Sequence, residues 1–186
     1  MSTAPLPPRS EPARIIVVMG VAAAGKTATG KAIARRLHAP FLDADAFHPQ
    51  TNIEKMSAGI PLTDEDRWPW LEALAKALHA EARRKGVVIG ACSALKRSYR
   101  NHLVEKAGEP ILFVHLSGSR DVLATRIARR PHHFMPASLL DSQLATLEPP
   151  DAEENAITFP ATDAVEKIAG DVLKATPHLR SFKRWQ

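Results

Sequence analysis

The chain has a single cysteine, Cys92, among its 186 residues, so no internal disulfide can form, which suits a reducing, cytoplasmic setting. It has no apolar run near the roughly 20 residues needed to cross a bilayer, and its N-terminus lacks the apolar stretch of a secretory signal. A membrane partner is therefore not expected. Nor does it carry a long basic stripe interleaved with aromatics. The net charge of +5 gathers in two local clusters, Lys174, Arg180, Lys183 and Arg184 near the C-terminus and Arg126, Arg129 and Arg130 further in. Such clusters suit a polyanionic small molecule, and no nucleic-acid partner is expected.

What is present reads as one soluble globular domain, since 186 residues with 45% hydrophobic and 24% charged side chains bury one core. Residues 1–13 are proline-rich with few apolar side chains and read as a flexible leader. The domain is expected over 14–175, with a basic tail over 176–186. Ile15 to Met19 is a β-branched run ending at Gly20, the signature of a strand buried on both faces. Thr27 to Leu37 then shows helical spacing. The alternation continues with strands at Phe41–Leu42, Val87–Ala91, Ile111–Leu116 and Ala156–Phe159. Helices are expected over Trp68–Lys85, Arg120–Arg130, Ala137–Leu147 and Asp163–Lys174, with Pro131 and Pro136 as breakers. This order predicts a three-layer α/β fold with a central parallel sheet of about five strands and its ligand beyond the strands' carboxyl ends.

Gly20-Val21-Ala22-Ala23-Ala24-Gly25-Lys26-Thr27 has two glycines bracketing four residues, then Lys and Thr, between a predicted strand and a predicted helix. Backbone N–H groups of such a loop cradle phosphates, Lys26 reaches the β and γ phosphates of ATP, and the Thr27 hydroxyl serves Mg2+. The alanines pay a steric cost wherever the backbone needs positive φ. Asp43 and Asp45 follow the second strand and face the same crevice. Kinase chemistry needs one carboxylate to take the acceptor's proton and another to hold magnesium through water; Asp45 suits the first role and Asp43 the second. A polar loop with a helix cap explains the same spacing. Thr63 with Asp66 reads as a capping signal, with Pro69 in the first turn. Arg67 can fork onto a carboxylate or phosphate, or pair locally. Trp68 and Trp70 read as packing residues and Cys92 as a buried structural thiol. Lys96, Arg97 and Arg100 form a cationic rim whose place in a first helical turn opposes the dipole and calls for another partner.

These blocks, together with His48-Pro49, Asn52, Lys55-Met56, Gly59-Ile60-Pro61-Leu62, Asp64 to Leu71, Cys92 to Arg100, His133-Phe134-Met135-Pro136, Leu139 to Gln143 and Leu147-Glu148-Pro149-Pro150, resemble gluconokinase in order over most of the chain. The resemblance implies a P-loop kinase fold similar to shikimate and nucleoside monophosphate kinases. It also implies transfer of the γ-phosphoryl of ATP to D-gluconate, and a homodimer. By the same resemblance Asp45 and His48 bind the acceptor, and Arg67, Lys96, Arg97 and Arg100 include the partners of its carboxylate. A lid is expected over about 120–150, with Arg126 and Arg130 as candidates for charge stabilisation and Arg126 also for the nucleotide; a solvated helix end that favours cations at its C-terminus explains the same residues. The family commonly has Lys-Gly before His-Phe-Met where this chain has Pro131-His132, which implies a stiffer hinge. His132 and His133 lack a complementary ligand set at zinc spacing. A kinase of another acceptor, such as shikimate or a nucleotide, and a nucleotide-binding regulator without catalysis are the rival readings.

Overall fold

The computed structural model describes residues 12–129 and 137–179. Five parallel strands, β1 (Ile15–Met19), β2 (Phe41–Asp43), β3 (Val88–Ala91), β4 (Ile111–Ser117) and β5 (Ala156–Pro160), lie in the order β2-β3-β1-β4-β5. The helices are α1 (Lys26–Leu37), α2 (Gln50–Ser57), α3 (Asp64–Lys85), α4 (Arg97–Ala107), α5 (Arg120–Ala128), α6 (Ala137–Thr146) and α7 (Val165–Ala175), with a 3-10 turn at Ala44–Phe47.

The unbroken apolar run of β1 is explained by its central place, with every residue buried. Because successive side chains of a strand point to opposite faces, β1 feeds two cores. Ile16 and Val18 pack with Ile33 and Leu37 of α1 and Ile168 and Val172 of α7. Ile15, Val17 and Met19 pack with Leu71, Leu74 and Leu78 of α3 and Leu103 of α4. Helices on both faces of a parallel sheet follow from that division.

Helix α3 starts at Asp64, four residues ahead of its expected start. Thr63 Oγ1 accepts from the Asp66 N–H and the Asp66 carboxylate accepts from the Thr63 N–H, the reciprocal cap anticipated from the sequence. Pro69 accordingly lies inside the helix, beyond the first turn. The helix ends on Gly86 at φ +82°, with Arg83, Arg84 and Lys85 in its last turn, where cations complement the dipole. The folded unit also runs past Ala175, its expected end. Leu179 is buried with Ala13 in the α1–α7 core, and His178 Nε2 donates to the Ala13 carbonyl over 3.1 Å.

Candidate active site

Four strands deliver their chemistry at one edge. After β1 the chain makes the glycine-bounded loop, in which Gly20 has φ +140° and Gly25 +103°. Both angles are costly for residues with a Cβ. At Gly20 an added Cβ would also lie 2.8 Å from the Leu116 carbonyl oxygen, so space and torsion both exclude a side chain. Ala23 stands at φ +61°, which makes the steric cost expected of the alanines real at this one position. The loop is braced from several sides. Lys26 Nζ donates to the Val21 carbonyl at 3.0 Å, and the Gly20 N–H donates to the Ser93 carbonyl beyond β3. Arg126 of α5 reaches the Ala23 and Ala24 carbonyls at 3.4 Å and the Ala161 carbonyl at 2.6 Å. Gln143 of α6 accepts from the Ala22 N–H at 2.7 Å. Beyond Arg126 lies a hollow of about 380 Å³ bordered by Val122, Thr125, Arg129 and Thr162.

Thr27, in the first turn of α1, donates its hydroxyl proton to Asp43 Oδ2 at 2.9 Å, joining the phosphate loop to the end of β2. The other Asp43 oxygen accepts from the Asp45 N–H, so one carboxylate caps the 3-10 turn that carries Asp45. The helix-cap reading of this spacing is thus met in Asp43. This oxygen-rich corner fits magnesium, a hard cation that prefers oxygen donors and keeps several waters. Among the described residues there is no cluster of three or more His, Cys, Asp or Glu able to hold a metal alone.

His48 stacks on Trp70, ring centroids 4.1 Å apart, and Trp70 Nε1 donates to the Ala44 carbonyl at 2.7 Å. That packing fixes the Asp45–His48 stretch against α3. Burial holds the His48 pKa below its usual value, Asp45 opposes the shift, and Arg67 adds to it. Asp45, His48 and Arg67 are therefore electrostatic neighbours. Asn52 of α2, which is buried, donates to the Asp66 carbonyl at 2.9 Å and pins α2 beside them.

The four cations expected to meet a substrate carboxylate divide into two groups. Lys96 Nζ donates to both oxygens of Asp64 at 2.9 and 2.8 Å, and Arg67 Nη1 lies 3.7 Å from the same carboxylate and donates to the Tyr99 hydroxyl at 3.2 Å. Tyr99 in turn donates to Asp64. Arg97 instead turns to Asp151 and Glu153. Arg100 corrects the expectation outright. Its side chain is 1% exposed, paired with Glu154 through Nε and Nη2, and its Nη1 donates to the Ala94 and Glu148 carbonyls at 3.0 Å. A guanidinium so enclosed has no face left for a substrate and serves to fasten α4 to the 148–154 segment. The partner that this cationic first turn called for is supplied by the chain's own carboxylates.

Arg130, Pro131, His132, His133 and Met135 lie outside the described residues. Cys92 is buried and its thiol is pushed up to about 12 by desolvation, which suits a packing residue and no nucleophile. Tyr99, Asp64 and Gln143 were missed as site residues. Tyr99 and Asp64 had one available signal, a phenol and a carboxylate within one helical turn of Lys96 and Arg67 respectively. Gln143 had none, since nothing local connects it to Ala22.

Comparison with known proteins agrees with this fold. A family model described as an AAA domain matches residues 15–150. The gluconokinase of Gluconobacter oxydans is 50% identical over 146 residues, covering 77% of this chain and 80% of that protein. Among solved structures, a gluconokinase from Sinorhizobium meliloti superposes with a TM-score of 0.80 at 46% identity, covering 93% of this chain and 96% of the other. A sugar kinase from Janibacter, in unliganded form, gives 0.85 at 43% identity, covering 92% and 98%.

Proposed function

The chain belongs to the gluconokinase family of P-loop kinases, and from that premise we propose how its own residues perform transfer of the γ-phosphoryl of ATP to D-gluconate. One observation carries the assignment of roles. The Thr27–Asp43–Asp45 chain of hydrogen bonds joins the phosphate loop, through the Asp43 carboxylate, to the backbone N–H of the residue whose own carboxylate would meet the acceptor.

The loop from Gly20 to Thr27 receives the triphosphate, with Lys26 at the β and γ phosphates. The hollow beside Arg126 takes the nucleobase end, which places Arg126 where it steadies the loop's outer carbonyls and borders the nucleotide. Magnesium, held by Thr27 and through water by Asp43, would neutralise charge developing on the phosphates. Asp45 orients the terminal hydroxyl of gluconate and takes its proton as the new O–P bond forms and the bond from the γ phosphorus to the β,γ-bridging oxygen breaks, releasing ADP. Lys96 and Arg67 face the acceptor's carboxylate and His48 lines the acceptor side. Arg130, which lies outside the described residues, is proposed to meet the transferring group.

A cytoplasmic homodimer belongs to the same proposal. It is supported by family membership. The test of function is a steady-state assay of ADP formation with ATP, magnesium and, in turn, gluconate, shikimate and a nucleoside monophosphate. Turnover dependent on gluconate alone is expected. ATP binding without acceptor-dependent turnover would favour the regulator, and preference for another acceptor would replace gluconate.

A further inference from the structure

Lys96 and Arg67, two of the four cations expected on the acceptor side, converge on one internal carboxylate, that of Asp64. The side chains of Asp64 and Lys96 are 36% and 30% exposed, so this pair is partly solvated. Its neighbour, the Arg100–Glu154 pair, is 1% and 7% exposed and enclosed by main-chain carbonyls. Asp64 receives a lysine on both oxygens, a guanidinium at its edge and a phenol O–H. This is the donor set that a free carboxylate on a small molecule would need, assembled beside the His48–Asp45 side of the crevice. Lys96 and Tyr99 also hold the Asp64 pKa below its usual value, so it is an anion at neutral pH.

Resting on the gluconate reading above, we propose that Asp64 is an exchangeable stand-in for the substrate's carboxylate. When gluconate enters, its carboxylate takes over Lys96 and the edge of Arg67, and Asp64 swings to solvent at the start of α3. Asp64 would then keep the two cations gathered and aimed while the site is empty, and gluconamide, which has no charge to offer them, would bind without displacing it. Every acid pays for the exchange, so the affinity for gluconate is lower than the cations alone would give. A partly exposed ion pair contributes little, so the exchange costs a small factor.

The experiment compares the wild-type enzyme with Asp64→Asn, Lys96→Met and the double variant, reading KM for gluconate and inhibition by gluconamide, its uncharged analogue. Exchange predicts that Asp64→Asn lowers KM for gluconate by about threefold to fivefold, leaves the gluconamide inhibition constant unchanged, and has no effect on KM in the Lys96→Met background. A KM that rises or stays the same in Asp64→Asn overturns the proposal, because Asp64 would then be holding Lys96 in place throughout. Equal shifts for gluconate and gluconamide overturn it too, since they would report a change of shape with no exchange of charge. A wild-type enzyme without gluconate-dependent turnover is a different failure, that of the functional reading, and takes this proposal with it.

Discussion

Single side chains decide whether this crevice can work, and Asp45, the proposed base, is the first to test. Asp45→Asn keeps the shape of the turn capped by Asp43 but removes the proposed proton acceptor. Turnover with gluconate is expected to fall by about 10²–10⁴, the usual range for a lost general base, with ATP affinity nearly intact by calorimetry. The phosphate loop offers a sharper contrast. Gly20→Ala meets both the Leu116 carbonyl and a forbidden torsion, so a loss of at least about 2 kcal/mol in urea unfolding is expected. Ala23→Gly removes a strain of about 1–2 kcal/mol but gives back most of it through a freer unfolded chain and a lost buried methyl. Its stability should stay within about 1 kcal/mol of the parent. If Ala23→Gly were as damaging as Gly20→Ala, the left-handed assignment of Ala23 would be wrong.

At the level of elements, α4 shows how a motif can be read correctly as residues and wrongly as roles. Arg97 and Arg100 are three apart in its first turn, yet one faces exposed acids and the other is entombed. Arg100→Met would strand Glu154 as a buried anion, and removal of one partner from such a pair typically costs about 3–5 kcal/mol. The expected result is a large fall in urea midpoint, with gluconate KM little changed in whatever fraction stays folded. A specific rise in KM at unchanged stability would restore Arg100 to the substrate site. The strands, α1, α5, α6 and α7 were legible within a few residues because apolar periodicity and glycine or proline punctuation are local signals. Helix α2 was not, and of α4 only the first turn was, because their apolar faces are short and their positions are set by distant partners, Asn52 on the Asp66 carbonyl and Arg100 on Glu154. The same distinction governs the site. The Thr27–Asp43–Asp45 corner follows from strand ends and motif spacing, whereas the pairing of Lys96 with Asp64 and of Gln143 with Ala22 depends on long-range packing that no local pattern encodes.

For the whole molecule, stability should depend on pH through a histidine far from the chemistry. His115 of β4 is buried, with Nδ1 3.3 Å from the Thr158 hydroxyl of β5 and Nε2 without a partner among the described atoms. Burial, aided by Arg100, lowers its pKa from the ordinary 6.5. The folded state therefore binds fewer protons than the unfolded one, so this contribution is intact above pH 6.5 and is lost as the pH falls below it, until the folded pKa is reached. Urea unfolding at pH 8 and pH 5 should show a smaller acid loss in His115→Gln than in the parent; an equal loss would assign the acid sensitivity elsewhere, His48 being the next candidate.

The strand order carries a further consequence for biogenesis. β1 occupies the middle of the sheet, and its two flanking partners are the segments that begin near Val88 and Ile111. On a ribosome the keel is thus laid first and planked last. Its bare Ile-Ile-Val-Val-Met segment must wait, sticky and unpaired, for seconds while the rest is translated. Cells making this enzyme quickly would be expected to lean on holdase chaperones that grip the nascent N-terminal third.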